Sequence, residues 1–585
     1  MSMLPPDEEN RRQLVLRRLT GLVVGAFIIA LLNYQVISAG AINSESKGNR
    51  TVTRTVQALR GSILDKNGQI LAKSVYRYDI NADPSAVAEV SRQVDGKTVT
   101  ISVDQLAGQL AEVLGKDKDT ILRKLAGTGK YVNLSKNVDA TIYSKIKALD
   151  IPWIWPDAHP SRLYPNGAVA GNLLGFITSD GATLAGIERK MNSCLAGVDG
   201  QETYERGSDG IRIPDSAVIS QKARNGGTLQ LTIDTNLQYF AQQVLANAVN
   251  YERADYGTAL VVEVKTGKLL VAAEAPTVDP NDPGASDEAD RQSRIFNSTY
   301  EPGSTMKTIT AATAIDTGVA TVGTKVEAPF KVHMPWGTWI KDSEKHETLH
   351  LTLAGILRDS SNTGIMQIGE LNTRAERFDY MKRFGLGKKT TIDMAGESGG
   401  TLGDPKTWDK QTNLSSMFGQ GIAVTPIQMA YAYQAIANKG VRLQPQLFES
   451  CTAADGSVTN FPVGEAVRVV SETTARDTVD MLEKVVEQGH IGRTAAVAGY
   501  RVGGKSGTAQ TLDGNRYGNL YAISFIGMAP AEDPQYVVAV MLYKSRRTAS
   551  SIGATPVFKQ IMQQVLRTYR VAPSTTKSRD IPTEW

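Results

Sequence analysis

Cysteine and histidine are scarce in this sequence. The 585 residues include two cysteines, Cys194 and Cys451, and five histidines. Neither cysteine has a neighbouring ligand at metal-site spacing, which excludes zinc ribbons and cysteine-rich disulfide frameworks. The pair can form one long-range disulfide or remain two buried thiols. We favour two thiols, because a bridge requires closely matched geometry of the two residues.

An excess of charge of one sign is also missing. The formal net charge is +4, and aromatic residues make up 6% of the chain. The basic residues form no stripe with aromatic partners, so the sequence gives no indication of nucleic acid binding. Such mild basicity is compatible with an anionic membrane surface or a wall polymer. A chain of this length predicts two or three domains.

Long apolar runs are absent beyond the N-terminal region. There, an apolar run over residues 19–32 continues through residues 33–37. Four arginines precede it: Arg11, Arg12, Arg17 and Arg18. These arginines, with Tyr34 at the far end, predict one transmembrane helix, residues 19–39, and a cytoplasmic tail, residues 1–18. The alternative is a signal peptide cleaved near residues 39–41, and both interpretations place the rest of the chain outside the cytoplasm.

The pattern of predicted strands and helices changes at an Asn-Gly-Gly segment, residues 225–227. Residues 40–225 mix short strand-like segments with amphipathic helical ones, and residues 226–570 alternate strands and helices. This mixture predicts an α+β fold with two domains outside the cytoplasm. Residues 571–585 are polar and contain proline, which predicts a disordered tail.

Ser304 and Lys307 form the first candidate catalytic pair, in the segment Ser-Thr-Met-Lys. Pro302 and Gly303 end the preceding strand, so we expect Ser304 to begin a helix with Lys307 one turn later on the same face. A serine nucleophile needs a base, and a neutral lysine at this spacing supplies one. The lysine pKa must then fall from about 10.4, as it does in a desolvated site among other cations.

Two later segments supply further candidate catalytic groups. Ser-Ser-Asn at residues 360–362 follows a helical run, and Lys-Ser-Gly-Thr at residues 505–508 lies in a strand-like stretch. We expect Ser360 to relay a proton between the base and the leaving amine, and Asn362 to hold a substrate amide. Lys505 supplies positive charge to the same site.

The strand segment also carries candidate substrate-binding groups. The hydroxyls of Ser506 and Thr508 are suited to bind a carboxylate, and Gly507 lets a substrate backbone lie against the strand edge. The backbone N–H groups of Ser304 and Thr508 are expected to form an oxyanion hole, in which each donor contributes about 3 kcal/mol.

A formal zinc-peptidase motif, His-Glu-x-x-His, begins at His346 and ends at His350, with Glu370 further along the chain. Its context is poor, because residues 349–353 alternate as a strand does and Thr352 has the position of a helix N-cap. Residues four apart in a strand are about 13 Å apart, too far to chelate one ion. The zinc interpretation is therefore a remote alternative.

A formal phosphate-loop motif spans residues 499–506, Gly-x-x-x-x-Gly-Lys-Ser. Such a loop must join a buried strand to a helix whose N-terminus meets the phosphates. The residues after it are polar and turn-forming rather than helical, and no ATP is expected outside the membrane. Nucleotide binding is therefore not predicted.

Three motifs resemble, in order and spacing, the active-site motifs of the class B penicillin-binding proteins. They are residues 304–307, 360–362 and 505–507. Flanking segments that also resemble this family are residues 60–68, 162–165, 279–281 and 418–428. The departures are small: Ser506 replaces a commoner threonine, and Met306 replaces an aromatic residue.

The resemblance implies an N-terminal anchor, an elongated pedestal (residues 40–225) and a transpeptidase domain (residues 226–570). The implied transpeptidase domain has a five-stranded antiparallel sheet with helices on both faces and an all-helical part. The implied activity is peptidoglycan cross-linking: Ser304 attacks the penultimate D-alanine of a stem peptide, and an amine of a second stem resolves the acyl-enzyme. No cofactor is implied, and β-lactams are expected to acylate Ser304.

The segment at residues 496–502 is similar to that of the cell-division branch. That branch implies other division proteins and a polytopic lipid II polymerase as partners.

Three other functions share part of this pattern. A serine β-lactamase needs a water-activating carboxylate, but the candidate pair Glu188 and Asn192 precedes the serine, in the pedestal segment. A penicillin sensor of the same fold usually has several membrane spans, whereas one is predicted here. A D,D-carboxypeptidase, whose acceptor is water rather than an amine, stays an open alternative.

Overall fold

The computed structural model describes residues 6–94, 97–178, 181–207, 213, 215–514 and 516–585. The chain divides into two compact units. The first contains Met1–Ala58 and Gly197–Asn225, and the second contains Leu59–Ala196 and Gly226–Trp585. The segment predicted as the pedestal therefore contributes residues to both units.

The strands, in chain order, are β1 Thr51–Val56, β2 Ile63–Leu64, β3 Ile70–Ala82, β4 Val90–Val94, β5 Lys97–Ile101, β6 Val132–Val138, β7 Ile154–Leu163, β8 Gly200–Glu205, β9 Val218–Gln221, β10 Thr228–Leu231, β11 Tyr256–Glu263, β12 Leu269–Ala275, β13 Lys325–Ala328, β14 Lys331–His333, β15 Trp339–Lys341, β16 Leu349–Thr352, β17 Val441–Arg442, β18 Phe448–Thr452, β19 Val458–Asn460, β20 Val467–Arg468, β21 Gly503–Asp513, β22 Arg516–Ala529 and β23 Tyr536–Ser545.

The α-helices, in chain order, are α1 Pro6–Leu32, α2 Ala39–Arg50, α3 Val103–Leu114, α4 Lys118–Leu125, α5 Ala140–Ala148, α6 Gly171–Leu174, α7 Gly186–Lys190, α8 Asn192–Leu195, α9 Thr235–Glu252, α10 Arg294–Asn297, α11 Met306–Asp316, α12 Leu353–Asp359, α13 Asn362–Gly369, α14 Arg374–Arg383, α15 Lys410–Ser415, α16 Pro426–Ala437, α17 Glu472–Gln488 and α18 Thr555–Thr568.

The first unit combines an apolar helix with a small sheet. Helix α1 continues through a π-helical turn, Asn33–Ile37, and the stretch Asn10–Ile37 is long and apolar enough to cross a membrane. None of that stretch is buried within the protein, as a lipid-facing helix requires. Strands β1, β8 and β9 form an antiparallel sheet in that order.

The second unit contains two larger sheets. One runs in the order β19-β18-β10-β2-β3-β6, with β7 also paired to β3, so strands from the two predicted domains share it. The other has five antiparallel strands in the order β12-β11-β23-β22-β21, which leaves β21 at an edge. This five-stranded sheet confirms the implied transpeptidase architecture.

Helices cover both faces of the five-stranded sheet, because successive strand residues alternate between two apolar cores. Val261 and Val538 lie in the core that includes α9 and α18. Their neighbours Leu260 and Val537 lie in the core that includes α11 and α16. The near-continuous apolar strands in the sequence are explained by this burial on both faces.

Cys194 and Cys451 form a disulfide, with their Cα atoms 6.1 Å apart, so the preference for two thiols is wrong. Strand β10 explains the proximity. Leu229 pairs with Cys451, and the N–H of Gly227 donates to the carbonyl of Cys194 at 2.8 Å. A separation of 257 residues hides this pairing from local sequence patterns.

The structure corrects the prediction that residues 571–585 are disordered. Ile581 is 3% exposed, and the carbonyl of Pro582 accepts a hydrogen bond from the Thr352 hydroxyl at 2.7 Å. The ring of Trp585 packs edge-on against that of His350, with centroids 4.9 Å apart. The polar composition suggested disorder, but these residues satisfy their backbone groups against β16 and bury an isoleucine.

Candidate active site

Ser304 lies at the start of a buried helix. A 3₁₀ turn, Gly303–Thr305, runs directly into α11, so Ser304 and Lys307 lie one turn apart as predicted. Gly303 has φ of +55°, and a side chain there would meet the Thr508 carbonyl oxygen at 2.6 Å. The Gly303 N–H donates to the carbonyl of Gly419 at 2.9 Å. The serine turn is thus held between β21 and the 419–421 loop.

Three distant motifs meet at the Ser360 hydroxyl. The Lys307 ammonium lies 3.3 Å from that oxygen and also donates to the Ser360 carbonyl. The Lys505 ammonium lies 3.0 Å from the same hydroxyl and 3.2 Å from the Ser506 hydroxyl. Both lysine side chains are fully buried. The geometry joins the start of α11, the end of α12 and strand β21 in one site.

Burial changes the acid–base behaviour of both lysines. Desolvation, reinforced by the charge of Lys505, lowers the pKa of Lys307 well below its usual value, and Asp342 partly offsets the effect. Desolvation lowers the pKa of Lys505 to about 7. Neutral amines are therefore accessible near neutral pH, which the serine–lysine hypothesis requires.

The second motif forms a sharp turn between two helices. Ser360 has φ of +58°, a left-handed conformation that is uncommon for serine and costs about 1 kcal/mol or more. Ser361 follows as the N-cap of α13, and its hydroxyl accepts from the Gly364 N–H at 2.9 Å. The turn is therefore fixed on both sides, which holds the Ser360 hydroxyl between the two lysines.

Asn362 and Asp342 connect this turn to the β14–β15 hairpin. The Asn362 side-chain amide donates to the carbonyl of Lys341 at 2.8 Å. Asp342 is 6% exposed, and one carboxylate oxygen accepts from the N–H groups of Asn362 (2.5 Å) and Thr363 (3.1 Å). Sequence reasoning missed Asp342, because nothing local marks an aspartate that caps a helix twenty residues later.

The third motif lies on the edge strand β21, as the substrate-binding hypothesis requires. The Ser506 side chain is 8% exposed. A Cβ on Gly507 would lie 2.4 Å from the Ser524 hydroxyl and 2.9 Å from the Pro302 carbonyl oxygen, so the glycine also allows the serine turn to pack on the strand. The Thr508 hydroxyl hydrogen-bonds Ser551 at 2.9 Å.

The comparisons with known proteins agree with this geometry. Residues 257–563 match the family described as the penicillin-binding protein transpeptidase domain, and residues 55–231 match the penicillin-binding protein dimerisation domain. The chain belongs to the class B penicillin-binding proteins.

Its relatives match over almost the whole chain. Penicillin-binding protein PbpB of Mycolicibacterium smegmatis is 34% identical, over 94% of this chain and 89% of the relative. Peptidoglycan D,D-transpeptidase FtsI of Escherichia coli K12 is 32% identical, over 95% of this chain and 91% of the relative.

Two solved structures are similar in fold. A peptidoglycan synthetase from Bifidobacterium adolescentis has a TM-score of 0.72 and 33% identity, over 92% of this chain and all of that one. Penicillin-binding protein 3 of Mycobacterium tuberculosis, complexed with aztreonam, has a TM-score of 0.69 and 27% identity, over 91% of this chain and all of that one.

The two histidines of the zinc-peptidase motif have separate surroundings in this penicillin-binding protein. The segment Leu349–Thr352 is a strand, as predicted, and Thr352 caps the following helix. His346 lies 3.1 Å from the Asp342 carboxylate, whereas His350 packs on Trp585. Among the residues that the structure describes, no three histidine, cysteine or acidic side chains are grouped to hold a metal.

The phosphate-loop motif and the candidate β-lactamase carboxylate also have structural explanations. Residues 503–513 form a β-strand, so the phosphate-loop motif lacks the helix that it requires. Glu188 is fully buried and pairs with Arg60 at 2.6 Å and Arg162 at 2.7 Å. Its carboxylate therefore neutralises two buried guanidinium groups, which explains the residue without a β-lactamase role.

Proposed function

We propose that this chain, a serine-type D,D-transpeptidase by family, cross-links peptidoglycan stem peptides through an acyl-enzyme on Ser304. The observation that carries the proposal is the convergence of two buried lysines on the Ser360 hydroxyl, because one of them, Lys307, follows Ser304 by one helical turn. We also assign residues 40–225 to a pedestal and residues 226–570 to the transpeptidase domain, in accord with the matched family segments.

Acylation uses the serine and the neutral lysine. The Ser304 hydroxyl attacks the carbonyl carbon of the penultimate D-alanine, and its proton passes to the Lys307 amine. The backbone N–H groups of Ser304 and Thr508 stabilise the oxyanion, each contributing about 3 kcal/mol. Ser360 relays that proton from Lys307 to the nitrogen of the departing D-alanine, so Lys307 becomes neutral again. The C–N bond breaks and the acyl-enzyme remains.

Deacylation reverses the same proton path. An amine of a second stem attacks the ester carbonyl, loses a proton through Ser360, and forms the new amide as Ser304 regains its proton from Lys307. Asn362 holds the donor amide, and Lys505 with the Ser506 and Thr508 hydroxyls binds the terminal carboxylate. A β-lactam acylates Ser304 in the same way, but its leaving amine stays tethered, so the ester persists.

The acceptor distinguishes a transpeptidase from a carboxypeptidase. The full chain in detergent, supplied with a polymerised glycan carrying intact pentapeptides, is expected to give cross-linked dimeric muropeptides together with released D-alanine. The measurement is chromatography and mass spectrometry of the muropeptides after glycan digestion. Release of D-alanine without cross-linked muropeptides would show that the enzyme acts as a D,D-carboxypeptidase instead.

We further propose that the chain is a single-pass membrane protein with its catalytic domain outside the cytoplasm, in septal wall synthesis with a polytopic lipid II polymerase. The helical stretch Asn10–Ile37, with four arginines near its N-terminal end and an apolar run after them, supports this topology. Labelling of single-cysteine variants with an impermeant reagent in whole cells tests it. Residues before the helix should be protected and residues after it labelled, and the reverse pattern would reject the topology.

The pH dependence of acylation follows from the two lysines. Lys307 must be neutral to act as base, and Lys505 must be charged to bind the carboxylate. Burial lowers the pKa of Lys307 well below its usual value and that of Lys505 to about 7, so we expect a bell-shaped profile whose alkaline limb, near pH 7, reports Lys505. Second-order rates of penicillin acylation, measured from pH 5 to 9, give the profile. A rate that rises without limit above pH 8 would contradict it.

Replacement of Asp342 tests how the second motif is held. Asp342→Asn keeps an acceptor for the two N–H groups but removes the negative charge that raises the Lys307 pKa. We therefore expect the acid limb of the pH profile to move to lower pH with little loss of stability. Asp342→Ala also leaves the N–H groups of Asn362 and Thr363 without this acceptor, at a cost of about 1–3 kcal/mol in unfolding free energy. An unchanged acid limb in Asp342→Asn would show that its charge does not act on Lys307.

A further inference from the structure

A basic cavity lies on the transpeptidase domain and shares no lining residue with the Ser304 site. It is a small cavity that opens to solvent. It is formed where the end of α14, the start of α16 and strand β17 come together. Three cations line it: Lys388, Lys389 and Arg442.

Arg442 is buried, and no carboxylate of a described residue pairs with it. The side chain is 4% exposed, and its Nε donates to the carbonyl of Arg383 at 2.9 Å. Nη1 makes only a long contact of 3.4 Å with the Gln444 side chain. Within the part of the chain that the structure describes, Nη2 has no acceptor and no acid lies within 4 Å of the guanidinium.

Lys388 and Lys389 add two further positive charges to the cavity, and neither forms an ion pair with a described residue. Lys388 and Lys389 are exposed, and no carboxylate of a described residue lies within 4 Å of either one. Two acids lie near them in the chain: Asp393 pairs with Lys190 at 3.1 Å, and the two Glu397 oxygens accept from the N–H groups of Thr390 (2.6 Å) and Met394 (2.9 Å). The cavity therefore concentrates three positive charges.

A buried guanidinium normally has a paired anion, because desolvation of an unpaired ion is unfavourable. The Arg383 carbonyl, at the C-terminus of α14, supplies partial negative charge to Nε alone. The Nη1–Nη2 edge is the part of arginine that binds oxyanions through two parallel hydrogen bonds. Three cations around one small opening favour a phosphoryl group, whose tetrahedral oxygens point in several directions, over a planar carboxylate.

We propose that this cavity is a binding site for a phosphoryl group, held by the Arg442 fork between the Lys388 and Lys389 ammonium groups. The site is independent of the acyl-enzyme chemistry proposed for Ser304. A phosphoryl group has two sources outside the cytoplasm, free phosphate and a phosphodiester within an anionic polymer. Both present unesterified phosphoryl oxygens to the cavity.

The test is a binding measurement on the full chain in detergent. Inorganic phosphate and a short glycerol-phosphate oligomer are each titrated by calorimetry and by thermal melting, against sodium chloride at equal ionic strength. We expect saturable binding and a rise in Tm with at least one of them. Preference for the oligomer assigns the site to a polymer, and preference for phosphate assigns it to the free ion.

A matched pair of double variants makes the test specific. Lys388→Gln with Lys389→Gln removes two charges at the cavity, and Lys145→Gln with Lys147→Gln removes two exposed charges on α5. We expect the first pair to lower the affinity by about tenfold or more and the second to leave it unchanged. Arg442→Lys should act like the first pair, because lysine lacks the fork.

Penicillin labelling of Ser304 serves as the folding control and should be equal in both double variants. Absence of saturable binding to either probe in the wild-type chain overturns the proposal. Equal affinity in the two double variants also overturns it, since binding would then be a non-specific charge effect.

Discussion

Ser304→Ala is expected to abolish covalent labelling of the full chain by fluorescent penicillin. Alanine removes the only atom that the mechanism acylates, and cross-linking should fall by about 10⁴-fold or more, with residual activity from substrate binding and the oxyanion hole. Gel fluorescence measures the labelling, and muropeptide analysis measures the cross-linking.

The control for this variant is Ser144→Ala, which removes an exposed hydroxyl on α5 and should label at the wild-type rate. Melting curves of the two variants should coincide with that of the wild type within a few degrees. Labelling of Ser304→Ala at a comparable rate would mean that another residue is the nucleophile.

Replacement of Lys307 carries the second largest expected effect. Lys307→Met keeps most of the buried volume but removes the amine, and we expect acylation to slow by about 10²–10⁴-fold, the usual contribution of a positioned base. Lys307→Arg separates two roles of the lysine. Arginine keeps the charge but stays protonated, so it should be as slow as methionine if Lys307 acts as a base.

Stopped-flow or quenched labelling gives the acylation rate of each variant. A Lys307→Arg protein that acylates at close to the wild-type rate would contradict the role of Lys307 as a base. It would instead favour a purely electrostatic role for this position, with the proton passing through Ser360 to Lys505.

Local chemistry explains which parts of the site were predictable from sequence. Ser304 and Lys307 are three residues apart on one helix, so their proximity depends on helix geometry alone. The alternation of apolar residues predicted the strand at residues 349–352, and an extended segment there cannot bring His346 and His350 to one zinc ion. The mixture of strands and helices predicted the α+β class and residue types marked the second and third motifs, whereas the five-stranded sheet followed from the family resemblance.

The features that sequence missed all depend on contacts between distant segments. Asp342 reaches the second motif only because the β14–β15 hairpin lies beside α13. Cys194 and Cys451 meet because β10 pairs with β18. The tail, residues 571–585, is ordered by the free edge of β16, and no composition rule anticipates that edge. The positions of Asp342, the disulfide and the tail therefore depend on how distant segments pair in the folded chain.

The account depends on one spatial claim: groups from three distant motifs assemble around the Ser304 hydroxyl. Its most direct test is to incubate the full chain with benzylpenicillin, digest it, and locate the adduct by tandem mass spectrometry. We expect one penicilloyl group per chain, on the peptide containing Ser304, stable over hours. An adduct on another residue, or no adduct in a chain whose cross-linking activity is lost to a chelator, would contradict the account.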